Sequence, residues 1–245
     1  MASSDRTLLR VTGLTKRYRH VTALRDVGVG VRTGEVLGLI GPNGSGKTTL
    51  LECLAGVMPS DAGTIAVDGH AITPDERASL LFYLPDAIAP WPAETVRWAL
   101  DFATGFFGST KSTPAVRQAL IRRLDLEPLL NVAIGALSKG QRKRALLAMA
   151  LLMPQPMLLL DEPFEGLDLR QSRDVAALLR DHARAGRTLF LSIHQIHEAA
   201  RVCDRFVLLS LGRVCGEGTL EELAALVGGR ESGTLDLEQV FLALT

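Results

Sequence analysis

The chain predicts an α/β fold: a mainly parallel sheet, an antiparallel β part at the N-terminal end, and a helical lobe inserted into the core. Three observations carry this. Val36–Ile40, Leu81–Leu84, Met157–Leu160 and Leu189–Ile193 are short, continuous apolar runs, the pattern of parallel strands covered on both faces. Leu8–Leu14 and Ala23–Val31 instead alternate apolar with polar residues, as half-buried antiparallel strands do. Between Pro85 and Pro154 the texture turns helical.

Each element has its own signal. Gly63–Val67 reads as a further short strand, and Lys47–Ala55 as the helix after the first apolar run. Within the helical stretch, Ala93–Phe107 is rich in apolar residues. Thr113-Pro114 opens an amphipathic helix with Val116, Leu120, Ile121 and Leu124 on one face. Ser138–Met153 is a third helix, apolar over its second half. Thr219-x-x-Glu222 is a capping box, Gly228-Gly229 breaks the chain, and Leu237, Val240, Phe241 and Leu244 mark a last amphipathic helix. These boundaries divide the chain into an α/β core, 1–85 with 154–245, and a helical lobe, 86–153.

Composition narrows the function. At 245 residues the chain is long enough to bury a substantial core. Lys and Arg number 27, as do Asp and Glu, which argues against a chain-wide electrostatic grip on nucleic acid or an anionic membrane. Cys53, Cys203 and Cys215 are scattered without ligand spacing, as reduced cytosolic thiols are. Met1–Arg10 lacks the apolar core of a signal peptide, and no apolar stretch reaches the ~18 residues of a membrane span. A membrane role therefore has to run through a partner.

The chemistry lies just beyond the apolar runs. After Ile40 comes Gly41-Pro42-Asn43-Gly44-Ser45-Gly46-Lys47-Thr48, with Thr49 behind it. Glycines let successive backbone N–H groups curve around phosphate oxygens, Lys47 brings a point charge to the β- and γ-phosphates, and the Thr48 hydroxyl is a ligand for Mg²⁺. Only five lysines occur in the chain, so one at the end of a Gly-rich loop is not casual. After Leu160 come Asp161, placed to hold Mg²⁺ through water, and Glu162, placed to deprotonate a water attacking the γ-phosphate. After Leu84 comes Asp86, and after Ile193 comes His194. In an open parallel sheet, ligands sit beyond the carboxyl ends of the strands, so these groups converge on one crevice. Ser138-x-x-Gln141 is a capping box whose helix start, with Gly140 beside it, offers N–H groups and a positive dipole end to an anion.

Taken together these motifs resemble the ATP-binding-cassette (ABC) ATPases over almost the whole chain. Gly41–Thr48 matches the Walker A loop and Met157–Glu162 the Walker B strand, which makes the fold a P-loop NTPase core. Leu137–Gln141 matches the family signature, Gly166-Leu167-Asp168 the D-loop and His194 the switch histidine. Tyr18, between the first two strands, stands where the family keeps an aromatic that stacks on adenine. Lys139 replaces the usual signature Gly, and Asp86 stands where most relatives carry Gln, whose carbonyl oxygen reaches Mg²⁺; the resemblance makes Asp86 a third metal-site residue. The acidic residue after Tyr83-Leu84-Pro85 and the C-terminal Leu237–Leu242 segment look most like the ABC-2-type export ATPases. The resemblance implies an ATP- and Mg²⁺-dependent ATPase at the cytoplasmic face of the membrane. It would dimerise head to tail, as a homodimer or with a second ATPase subunit, and drive a separate transmembrane permease. A soluble ABC ATPase acting on nucleic acid or ribosomes is the alternative. Such proteins usually carry coiled-coil insertions or a second cassette, and neither is visible in this sequence.

Overall fold

The computed structural model describes residues 7–106, 113–227 and 236–245. Two sheets form its frame. β1 (Thr7–Tyr18), β2 (Val21–Arg32), β4 (Ala62–Val67) and the two-residue β5 (His70–Ala71) make an antiparallel sheet of order β2-β1-β4-β5. The second sheet has order β10-β9-β3-β8-β7-β6. Its parallel strands are β3 (Val36–Ile40), β6 (Leu81–Leu84), β7 (Met157–Asp161), β8 (Thr188–Ile193) and β9 (Arg205–Ser210), and β10 (Arg213–Gly218) returns antiparallel along β9. The expected parallel core is present, with β9 and β10 added at its edge.

Continuous apolar strands follow from burial on both faces, and alternate residues go to different cores. Val36 and Ile40 join one cluster with Leu158, Leu160 and the helices beyond them. Leu37 and Leu39 join another, with Leu14, Val29 and the helix α1 (Lys47–Ala55). The antiparallel sheet and α1 cover one face of the parallel sheet, and the helices of the other cluster cover the opposite face. That sandwich is why β1 and β2 alternate while β3, β7 and β8 do not.

Short connections carry the other helices: α2 (Pro74–Leu80), α6 (Leu169–Arg184), α7 (Ile196–Val202), α8 (Leu220–Leu226) and α9 (Leu237–Leu244). The segment between β6 and β7 holds α3 (Val96–Phe106), α4 (Pro114–Arg123) and α5 (Lys139–Leu152). Thr113 caps α4 as anticipated, but Val116 in its first turn is exposed, so the buried stripe begins one turn later, at Leu120 and Ile121. Leu237 and Val240 are buried in α9, as their spacing implies. The predicted break at Gly228-Gly229, residues 1–6 and Phe107 lie outside the described residues. No helix among the described residues is long and apolar enough to cross a membrane.

Two buried ions tie the sheets together. The Arg205 guanidinium, at the start of β9, donates to Glu35 Oε2 at 3.2 Å and to Glu217 Oε1 at 2.7 Å. Glu217 Oε1 also accepts from the Gly30 amide of β2 at 3.2 Å, and Arg205 donates to the Gly30 carbonyl at 3.3 Å. Burial pushes the Glu35 carboxyl up, against the opposing pull of its Arg32 amide bond and of Arg205. Arg205→Met should therefore cost about 3–5 kcal/mol by stranding two carboxylates. Adding Glu35→Gln should recover part of that loss. Urea unfolding of the two variants checks the order.

Candidate nucleotide site

The site is assembled by register. Ile40 of β3 pairs with Ile193 of β8, Asp161 of β7 pairs with Ser192 of β8, and Leu84 of β6 pairs with Leu160 of β7. The carboxyl ends of these strands are thus level, and the residues after them share one edge. An open cavity of about 400 Å³ lies there. Lys47, Thr48, Asp86, Asp161, Glu162 and His194 are among its lining residues. Asn43, Gly44, Gly46 and Thr49 of the Gly-rich loop complete much of the remaining wall.

The loop is drawn tight by its own backbone. Ser45 N–H donates to the Pro42 carbonyl at 3.1 Å, and the Gly212 N–H to the Ser45 carbonyl at 3.0 Å. Gly46 is the N-cap of α1 at φ 108°, and a Cβ there would lie 2.6 Å from the Ala23 carbonyl oxygen. Both the left-handed backbone and the close approach require glycine. Helix α1 then starts at Lys47 with its N–H groups facing the cavity, an anion site by dipole and by unpaired donors. The buried Lys47 ammonium donates to the Gly41 carbonyl at 2.8 Å and stands 3.8 Å from Glu162 Oε1.

Asp161 is the most constrained acid of the site, only 3% exposed. Its Oδ2 accepts from Thr48 Oγ1 at 2.9 Å and from the Tyr83 hydroxyl at 3.5 Å, and its Oδ1 accepts from Ser192 Oγ. Burial, followed by the charge of Asp161, pushes the Tyr83 phenol far above its ordinary value, so it remains a donor. Paired hydroxyl and carboxylate oxygens are the hard donor set that Mg²⁺ takes, so Thr48 and Asp161 fit that ion. Ser192 Oγ also accepts from the Glu162 amide at 2.9 Å. Glu162 sits at φ 48°, an uncommon conformation for a residue with a side chain, and it turns the carboxylate from the strand toward the cavity. Glu162 Oε2 lies 2.7 Å from His194 Nδ1 and accepts from the His194 amide at 3.2 Å.

Asp86 lines the cavity with Thr48 and Asp161, and its Oδ1 accepts from the Lys143 ammonium at 2.7 Å. Burial raises the Asp86 carboxyl, yet the bond from Lys143 and neighbouring charges hold it below the usual carboxylate range. Tyr18 is not among the lining residues. Its ring is half exposed at the end of β1, with Lys16 Nζ 5.5 Å from the centroid and the hydroxyl on Met58 Sδ.

The signature residues also lie outside this cavity's lining. Ser138 caps α5 in a reciprocal box with Gln141, bonds of 3.3 and 3.0 Å. A Cβ on Gly140 would lie 2.4 Å from the Gly166 carbonyl oxygen, so this glycine allows the helix start to abut the Gly166–Asp168 turn. Asp168 caps α6, accepting from the Gln171 amide at 2.8 Å. Sequence reading missed Ser192, Tyr83, Glu165, Lys143 and Ala23 as site residues. Ser192 and Tyr83, each second from the end of its strand, held a positional signal.

Comparison with known proteins agrees with this geometry. Residues 24–165 match the family model described as ABC transporter. The lipopolysaccharide export system ATP-binding protein LptB of Acidithiobacillus ferridurans is 34% identical, the match covering 88% of this chain and 92% of that one. The daunorubicin resistance ATP-binding protein DrrA3 of Streptomyces coeruleorubidus is also 34% identical, over 98% of this chain and 79% of its own length. A solved ATP-binding subunit of an ABC transporter superposes with a TM-score of 0.86 at 30% identity, covering 97% of this chain and 99% of that one. The fold and the site define a P-loop nucleotide-binding ATPase. The chain belongs to the ABC transporter family, among its ATP-binding, ATP-hydrolysing subunits.

Ser192→Ala removes the hydroxyl that supports both Asp161 and Glu162. The Mg²⁺ concentration for half-maximal ATPase should rise by about 10- to 100-fold, the usual scale for losing a group that orients a metal ligand. A Mg²⁺ titration of phosphate release measures it, and an unchanged midpoint would show that Asp161 needs no such support.

Proposed function

We propose that this chain is the ATPase of an export system, working as a homodimer on the cytoplasmic face of a membrane and driving a separate transmembrane permease. The observation that carries this reading is a division of labour. Lys47, Thr48, Asp161, Glu162 and His194 meet in one cavity, while the Ser138 helix start lies apart from it. A second copy, related head to tail, would bring its own Ser138, Gly140 and Gln141 to the phosphates held by Gly41–Thr49, with Asp168 at the seam. Since the chain carries both halves, two identical copies make two complete sites.

In hydrolysis, the loop N–H groups and Lys47 hold the β- and γ-phosphates and offset the charge that accumulates there. Thr48 and Asp161 would hold Mg²⁺, which supplies further charge neutralisation on the phosphates. Glu162 accepts a proton from the attacking water as its oxygen bonds to the γ-phosphorus. The bond from that phosphorus to the bridging oxygen breaks, leaving ADP and phosphate. His194, bonded to Glu162 through Nδ1, keeps that carboxylate aimed at the water. Tyr18 is the side chain proposed to face adenine from the end of β1.

The permease needs a surface, and the segment after Asp86 offers one. Trp91 and Trp98 are 40% and 37% exposed, and with Phe102 they form an aromatic cluster with centroids 5.0–5.5 Å apart. Such a cluster suits an amphipathic partner segment, because aromatic anchors dominate interface energies. Export is favoured by the names of LptB and DrrA3 and by the acidic residue after Pro85. Co-purification of a multi-span membrane protein, followed by ATP-driven substrate movement in inside-out vesicles, tests the assignment. Capture of a ribosome or DNA in its place would overturn it.

Glu162→Gln should keep ATP affinity and slow hydrolysis by about 10²–10⁴, the scale of a lost general base. With turnover blocked, Mg-ATP should trap a dimer visible by size exclusion; normal hydrolysis would remove Glu162 from the role. Ser138→Arg and Lys47→Ala should each inactivate alone. Mixed heterodimers place both lesions in one composite site and leave the other whole, so partial phosphate release should return. No recovery in proven heterodimers counts against the shared site.

A further inference from the structure

Lys143 lies on α5, one turn beyond Lys139, and its side chain is only 4% exposed. The helix from Ala145 onward is apolar and buried, so a lysine at this point is costly unless answered. It is answered from two directions. The ammonium donates to Asp86 Oδ1 at 2.7 Å and to the Asp86 carbonyl at 3.5 Å, both in the loop after β6. It also reaches the carbonyl of Asp161, at the end of β7, at 3.5 Å. Asp86 and Asp161 both line the nucleotide cavity.

We propose that Lys143 is a positioning residue: its ammonium fastens the signature helix to Asp86 and to the end of the Asp161 strand, so the hydrolytic edge of one copy sets how that copy presents Ser138–Gln141 to the other's nucleotide. The inference rests on the two-copy site described above. Its physical basis is the price of separation. Turning α5 away from the sheet edge would leave the buried Lys143 ammonium without its carboxylate, so the helix start and the loop after β6 move together. A second pair, Lys139 with Glu165, bridges the same helix to the same cavity edge. The carboxylates of the two pairs are similarly exposed, 34% and 26%, but the Lys139 ammonium is 52% exposed against 4% for Lys143, and a pair with so exposed a cation contributes little. The fastening therefore falls to Lys143.

The test uses the full-length protein and a fluorescent ATP analogue. K143M should lower kcat by about tenfold to a hundredfold through misplacement. KM and the analogue's Kd should stay within about threefold, because each copy's own loop holds the nucleotide. K143M should also weaken the Mg-ATP dimer trapped by Glu162→Gln. D86N combined with K143Q replaces the ion pair by a neutral hydrogen-bonding pair and should recover at least half of the kcat lost in D86N alone. Should K143M fail to fold, K143Q alone takes its place in every measurement. Wild-type kcat in the single variant, a loss that follows Kd in proportion, or a double variant no better than D86N would each overturn the proposal. If Glu162→Gln alone traps no dimer, the two-copy reading fails first. If it does and the added K143M leaves trapping intact, only the role of Lys143 falls.

Discussion

Every chemical feature of this protein depends on the parallel register of β3, β8, β7 and β6. Ile40 opposite Ile193 and Asp161 opposite Ser192 put the phosphate loop, the acidic pair and His194 on one level. A slip of one residue in β7 would send Asp161 to the other face of the sheet and out of reach of Thr48. The register is held by burial on both faces, because each strand contributes alternate residues to two separate apolar clusters. Packing of the core and placement of the catalytic groups are one and the same constraint.

Gathering like charges on that edge has a cost, and the structure meets it locally. Asp161 is buried but receives hydroxyl groups from Thr48, Tyr83 and Ser192, so its lone pairs are aimed before any ligand arrives. Glu162 has Lys47 near one oxygen and His194 on the other, and its left-handed backbone is held by amide bonds to Ser192. Strained backbone beside a reacting group persists only where the surroundings over-determine it, which is the case here. Preorganisation of this kind spares reorganisation during the reaction.

The helices between β6 and β7 are joined to this edge in two ways. Apolar side chains of α3, α4 and α5 belong to the same cluster as Leu158 and Leu160 of β7. Contact of Gly140 with Gly166 and the Lys143–Asp86 pair add specific polar and steric links at the nucleotide end. Apolar packing tolerates sliding, whereas an ion pair and a glycine contact permit few arrangements. The seam is where movement of these helices and the state of the site meet.

Much of this was legible in the sequence because it depends on local pattern. The Gly-rich loop, the apolar runs and the caps at Ser138 and Thr113 all rest on contacts within a few residues. Burial on both faces showed in β3, β6, β7 and β8 as unbroken apolar runs. The helix α2 was missed although Thr73-Pro74-x-Glu76 carries a capping signal, and β9 was missed although its run is apolar. Tertiary structure alone decided the rest. Lys143 and Asp86 are 57 positions apart, Ser192 and Asp161 are 31, and Arg205 and Glu35 are 170. No periodicity reports which of two distant charges will share a buried site, since that depends on how the sheet edge and α5 dock. The sequence by itself determined the chemistry available and the strand ends that bear it. Only the fold decided that the Asp86 carboxylate would answer an ammonium, because a buried charge takes the nearest opposite charge and distance exists only in three dimensions.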